Sequence, residues 1–200
     1  MVVLGLDLAG VENRPTGFCI LQDDLAAETG HIYTEEEIMR LILTYKPSVT
    51  AIDAPLFLPK DRSSLEDRSG PHLRKCDRIL LNSGIRFFPI TLGPMRKLTS
   101  RGMSLKNRLN AVGLEAIEVY PGGAQDVLGI SRGKSNLEGL KNGLIRLGLK
   151  GLKDDLSIHE LDAATAAYVG YLYRIGKYLA LGDPSEGYII MPKSEKFKLH

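Results

Sequence analysis

Apolar positions along this chain fall into two rhythms. Short continuous or alternating runs read as strands, and steps of three and four residues read as helix faces. Val2, Val3, Leu4 and Leu6 form a nearly continuous run ending at Asp7, the pattern of a strand buried on both faces and therefore central in a sheet. After a loop, Thr16–Leu21 reads as a second strand returning antiparallel, and Gly30–Tyr33 as a third, weaker one, together a meander. Thr34 and Glu37 form a capping box, and Ile38, Leu41, Ile42 and Tyr45 follow at helical spacing until Lys46-Pro47-Ser48 stops the helix. Val49–Asp53 is the next strand. A helix between two strands favours a right-handed crossover and parallel pairing with the first strand. Asp53 is then expected at the same end of the sheet as Asp7, where open α/β sheets place their sites.

The second half alternates in the same way. Leu56–Gly70 is polar and irregular, and Arg74–Ser83 reads as a helix ending at Gly84. Met95, Leu98, Gly102, Leu105, Leu109 and Val112 mark one face of a longer helix, with Arg96, Lys97, Arg101, Lys106 and Arg108 largely off that face. Glu115–Tyr120 is a fifth strand, with Ile117 and Val119 on one face and Ala116, Glu118 and Tyr120 on the other; Pro121-Gly122-Gly123 ends it. Ser135 with Glu138 forms a second capping box, opening a helix to about Leu147, and Ser157 with Glu160 a third, opening the last long helix. Ala163, Ala166, Ala167 and Gly170 line that helix with small residues, which allow close approach to the sheet, and Asp162 lies beside them near its start. Gly182–Gly187 is turn-rich, Tyr188–Met191 reads as a short final strand ended by Pro192, and a polar tail follows. No repeat or linker divides the chain, so one α/β domain over 1–200 is expected, with a helical insertion at about 56–113.

Composition adds a charge pattern. The net charge is only +2, yet Lys60–Arg108 carries twelve Lys and Arg against four acids, a net +8, which leaves the remainder at −6. A basic middle between acidic halves predicts a polyanion-facing surface beside an acidic site, with a merely solvated basic face as the plainer reading. Cys19 and Cys76 lack metal or disulfide spacing and fit a reducing compartment. No apolar run is long enough to span a bilayer, and the N-terminus enters a strand without a charged leader, so a cytoplasmic protein without a signal peptide is expected.

The candidate chemistry is carboxylate chemistry. Asp7, Asp53 and Asp162, with Glu118 as a fourth, come from separate elements that can meet at one end of the sheet. Gathered carboxylates repel, and unless some protonate they need cations between them. Hard oxygen donors suit Mg²⁺ or Mn²⁺, and two such ions can stabilise the attacking water and the leaving oxygen of a phosphodiester. Each acid also has a structural reading: turn cap for Asp7 and Asp53, helix-dipole partner for Asp162. Arg74 and Arg78 either bind phosphate or pair internally with Asp77. Glu160 reads as a capping residue, and His159 as a helix-start residue or a proton-transfer aid. Gly129–Ser135 resembles a phosphate-binding P-loop but is one residue short and follows no convincing strand, so it reads as loop and helix cap.

Five ordered motifs, GLDLAG (Gly5–Gly10), AIDAPL (Ala51–Leu56), CDR (Cys76–Arg78), IEVYPG (Ile117–Gly122) and HELDAATAA (His159–Ala167), resemble domain-of-unknown-function family 429, catalogued as predicted nucleases of ribonuclease H-like fold. The resemblance runs over most of the chain. It implies a mixed sheet of three antiparallel strands followed by parallel ones, flanked by helices, with Asp7, Asp53 and Asp162 as metal ligands. The first helix offers Glu35–Glu37 only at its start, where they read as cap and dipole partners, so Glu118 is the expected substitute for ribonuclease H's helix glutamate, closer to Holliday-junction resolvases. Arg74, Arg78, Lys97 and Arg101 are the cations expected to hold a DNA or RNA backbone. Two rivals remain: a nucleotide-binding protein of the actin and sugar-kinase type, with Asp7–Gly10 as a phosphate-facing turn, and a non-catalytic nucleic-acid-binding module.

Overall fold

The N-terminal apolar run folds as β1 (Val2–Asp7), followed by β2 (Thr16–Gln22), β3 (Ala27–Ile32), α1 (Glu35–Tyr45) and β4 (Val49–Asp53). Then come α2 (Lys75–Asn82), α3 (Gly93–Ala111), β5 (Ala116–Val119), α4 (Pro121–Leu128), α5 (Leu137–Arg146), α6 (Ile158–Arg174), β6 (Tyr178–Asp183) and β7 (Gly187–Pro192). This computed structural model describes residues 1–195 and Phe197, and the polar tail expected after Pro192 lies partly outside them. Among the described residues seven strands form one sheet in the order β3-β2-β1-β4-β5-β7-β6. β1, β2 and β3 pair antiparallel, as the meander pattern predicts. β4 pairs parallel to β1, β5 to β4, and β7 to β5. Among the described residues no helix is long and apolar enough to cross a membrane.

Strand periodicity divides the interior in two. Val3, Cys19, Leu21, Val49, Ala51, Ile117 and Val119 point to one face and pack with α6. Leu4, Leu6, Ile20 and Ile52 point to the other, against Ile38 and Ile42 of α1 and Leu105 and Leu109 of α3. The small stripe of α6 does what its composition suggests. A Cβ on Gly5 would lie 2.8 Å from Ala167 Cβ, and one on Gly170 would lie 2.7 Å from Val3 and 3.1 Å from Ala51. Helix and sheet therefore meet almost backbone to backbone.

Three local expectations change. Pro121-Gly122-Gly123 does end β5, but Pro121 then starts α4 at once, its ring pre-set for a first helical position. α5 is capped by Asn136, whose side chain accepts from Gly139 N, so the box expected at Ser135 and Glu138 does not form. The C-terminal strand is one arm of a hairpin, since β6 pairs antiparallel with β7 at the sheet edge.

Between β4 and β5 the chain leaves the sheet and carries α2 and α3. Glu186, 5 % exposed in the β6–β7 turn, anchors this excursion. It accepts from the backbone N–H of Lys60 at 2.8 Å and from that of Lys75, and pairs with Arg78 at 3.6 Å. The basic stretch is less exposed than its charge suggests, because Arg62, Arg74 and Arg101 are all buried. Cys19 and Cys76 are free and buried.

Candidate active site

Asp7 and Asp53 are register partners on adjacent parallel strands, whose backbones run about 4.8 Å apart. Both continue the rows that face α6, Val3–Gly5–Asp7 and Val49–Ala51–Asp53, one step beyond the last packed residue. The first turn of α6 begins there. Its Ser157–Glu160 capping box is formed on both sides, and a Cβ on Gly17 would lie 3.0 Å from Glu160 N. That contact brings His159 and Asp162 over the strand ends. Asp7, Asp53, His159 and Asp162 consequently line one cleft of about 600 Å³.

Each acid is held differently. His159 Nδ1 lies 2.6 Å from Asp7 Oδ2. Gln125 of α4, itself 1 % exposed, donates to Asp162 Oδ1 at 2.7 Å and to Thr165 Oγ1 at 3.2 Å. Asp53 has no such partner among the described residues: burial first, then Asp7, Asp162 and Glu118, all push its pKa well above the usual carboxylate range. Burial, aided by Asp7, also raises Asp162 to about 6 against the pull of Gln125. The hydrogen bond to Asp7 raises His159 above its ordinary value, against partial burial. The loop after Asp7 is braced too, since Ala9 N donates to Thr16 Oγ1 at 3.0 Å.

The structure separates Glu118 from the three aspartates. It pairs in register with Ile52, not Asp53, and so points to the opposite face. There it is 3 % exposed and accepts from Leu56 N and from both terminal nitrogens of Arg74, each at 2.7 Å. Arg74 also binds Asp77 through Nε and Nη2. Arg74 is thus the internal partner of two buried acids, a correction of its expected substrate role. Arg101 is corrected likewise: it donates to the carbonyls of Ala9 (2.7 Å) and Tyr33 (2.6 Å) and steadies the loop after β1. Arg78 donates to Leu73 O at 2.8 Å and pairs with Glu186, away from the cleft. Lys97 is exposed and lines a separate groove with Gly10 and Glu12.

The cations of the cleft are Arg86, Arg132 and Lys134, none of which was expected there. Arg132 is clamped by Asp126. Lys134 is exposed and near enough to lower the pKa of Asp162. Two of the three belong to the P-loop-like Gly129–Ser135 stretch, which is a loop as expected but forms a wall of the site. Glu160 is the capping residue it resembled, also accepting from Thr29 at 3.1 Å.

The donor set suits a hard divalent cation in type and in charge: three carboxylates share one cleft, and among the described residues no hydrogen bond or ion pair offsets a negative charge on Asp53, whose ionisation the surroundings oppose. It is not a preformed cage. Among the described residues no group of three or more His, Cys, Asp and Glu side chains is arranged as a metal site, and Asp7 and Asp162 are turned onto His159 and Gln125.

No protein-family model and no curated protein matches the chain. Solved structures do. T. thermophilus RuvC in complex with Holliday junction substrate aligns over 94 % of this chain and 100 % of its own, at 13 % identity and a TM-score of 0.54. A second Thermus thermophilus RuvC structure aligns over the same shares at 14 % identity and a TM-score of 0.50. The chain has the ribonuclease H-like fold, with three antiparallel strands followed by parallel strands and helices on both faces.

Proposed function

We propose that this protein is a metal-dependent nuclease that hydrolyses nucleic-acid phosphodiester bonds in the Asp7–Asp53–Asp162 cleft. The observation that carries the reading is the meeting of three aspartates, from segments far apart in sequence, at the rim of one sheet beside Arg86 and Lys134. Such a charge distribution disfavours an anion at the acids themselves and favours one bridged to them by cations. The fold shared with RuvC, bound in one structure to Holliday junction substrate, supports nucleic acid as the ligand class, and the motif resemblance to family 429 supports the same reading.

Asp7, Asp53 and Asp162 would hold Mg²⁺ or Mn²⁺, which when bound supplies Lewis acidity at the phosphodiester and activates water. Gln125 orients Asp162, and His159 orients Asp7 while holding a proton at the rim of the cleft. Arg86 and Lys134 bind the phosphate oxygens, a contact that fixes position without reading sequence. Glu118 stays out of the chemistry and supports the floor from behind.

Calorimetric titration with Mn²⁺, beside cleavage of labelled DNA and RNA, tests the assignment. Asp7→Asn and Asp53→Asn are each expected to weaken Mn²⁺ binding at least tenfold and to abolish Mn²⁺-dependent cleavage. Unchanged Mn²⁺ binding in both variants sinks the assignment. Salt-sensitive nucleic-acid binding that persists in chelator, with no cleavage under any divalent ion, would instead mark a binding module.

A further inference from the structure

Behind Asp53, on the side away from Asp162, lies a second cavity of about 170 Å³. Asp53, Phe87, Phe88 and Tyr120 line both it and the carboxylate cleft, so the two share a wall. Its interior is apolar over most of its extent, with Leu80, Ile90, Met95 and Ile189 among the lining side chains, and its polar end is the buried Arg74–Asp77–Glu118 cluster. Phe88, 62 % exposed, stands in the wall shared by the cavity and the cleft, where its ring is open to a stacking partner.

We propose that this cavity receives the base of one unpaired pyrimidine nucleotide in a nucleic-acid strand whose phosphate lies in the neighbouring cleft. The inference rests on the nuclease reading above and specifies its substrate. Three observations carry it. The first is size. An apolar cavity of about 150 Å³ holds a single benzene ring, so 170 Å³ matches one six-membered ring more closely than a fused purine. The second is charge. The polar end holds one guanidinium and two carboxylates, which repel a phosphate but accept a neutral ring, while the cations Arg86 and Lys134 stand on the cleft side of the shared wall. The third is hydrogen bonding. Of the five N–H groups of Arg74, Asp77 and Glu118 take four. Among the described residues none accepts from the second hydrogen of Nη1, which leaves a donor for a ring carbonyl, a group every pyrimidine base carries. A base inside a duplex cannot reach such a cavity, so the nucleotide must be unpaired or extruded, and aromatic walls compensate for its lost stacking.

The test uses fluorescein-labelled duplexes, in DNA and in RNA, each with one bulged T (U in RNA), C, A or abasic position. Binding to the full chain is measured by anisotropy in chelator. In the polymer that binds more tightly, bulged pyrimidines are expected to bind about tenfold more tightly than bulged A or the abasic bulge. Phe88→Ala, at an exposed position, should bring the pyrimidine bulge down to the abasic level, and Met95→Trp, which fills the cavity, should do the same. Equal affinity for all four bulges, or an equal loss for all four in Phe88→Ala, overturns the proposal. Thymidine monophosphate should compete at least a hundredfold more weakly than the bulged strand, and equal competition overturns the strand as the source of the base. Cleavage of the same duplexes in Mn²⁺ separates the two claims. Cleavage without base preference removes the pocket and leaves the nuclease; base preference without cleavage does the reverse.

Discussion

Asp53 carries the clearest sign of function at the level of a single residue, because the fold places it where its own charge is unfavourable. Burial, Asp7 and Asp162 all oppose its ionisation. Asp53→Asn removes that charge while nearly preserving shape, so in chelator it should raise stability by about 1 kcal/mol, an increase in Tm of about 2–4 °C. Thermal melts check this, and a lower Tm in the variant would mean the carboxylate serves the fold. The three aspartates were legible because each ends a strand or begins a helix in a pattern that sequence periodicity defines. Glu118 was legible in part: its strand already set it on the face opposite Ile117 and Val119, but its proximity to a strand end suggested a shared site. Arg86, Arg132 and Lys134 left no periodic trace, since they lie in loops. Arg74 and Arg101 counted toward a basic surface that burial removes, and charge tallies carry no information on burial.

Among the elements, α6 brings chemistry to the sheet. Its capping box, small stripe and Asp162 were all readable, because capping and close packing depend on neighbours in sequence. What its approach demands of the partner strand appears only in three dimensions. Gly17 of β2 leaves no room for a side chain against the backbone of His159 and Glu160. Gly17→Ala should therefore displace the first turn of α6, destabilising the protein by about 1–3 kcal/mol and weakening Mn²⁺ binding though no ligand is altered. Denaturant melts with calorimetry read both, and a variant as stable and as Mn²⁺-competent as the parent would contradict the packing described. α4 escaped detection because Gly122 and Gly123 are poor helix formers, although Pro121 at the first position and Gly129 in a left-handed cap (φ 67°) bracket it. β6 is short and begins only two residues after Gly176 (φ 74°) closes α6, so its apolar residues read as a continuation of the helix although that glycine marks the stop.

In the molecule as a whole the site imposes a pH signature. Asp162 titrates near 6 in the folded chain and near the ordinary carboxylate value when unfolded. Between about pH 4 and 6 the folded state therefore binds more protons, and stability falls as pH rises. His159 acts in the same sense: its contribution is complete below its unfolded value and is lost as pH rises through the raised one. On the acid side Asp67, lowered to about 2 by its bonds to Ser69, and Glu37, lowered by the N–H groups of Thr34 and Tyr33, lose their contributions as pH falls through their folded values. Metal-free protein should melt several degrees higher near pH 5 than at pH 8, and Mn²⁺ at pH 8 should recover the difference; a Tm that is flat or rises between these values would contradict the charge balance described. Arginines from the excursion and acids from the sheet thus share one electrostatic account, and one carboxylate joins them mechanically. Glu186 fastens Lys60 and Lys75 to the same hairpin turn, closing the intervening stretch into a loop tethered at both ends. Glu186→Gln should make that loop the first target of trypsin, nicked at its own Lys and Arg while the sheet melts at nearly its original temperature. Protection equal to the parent's would mean the tether is dispensable.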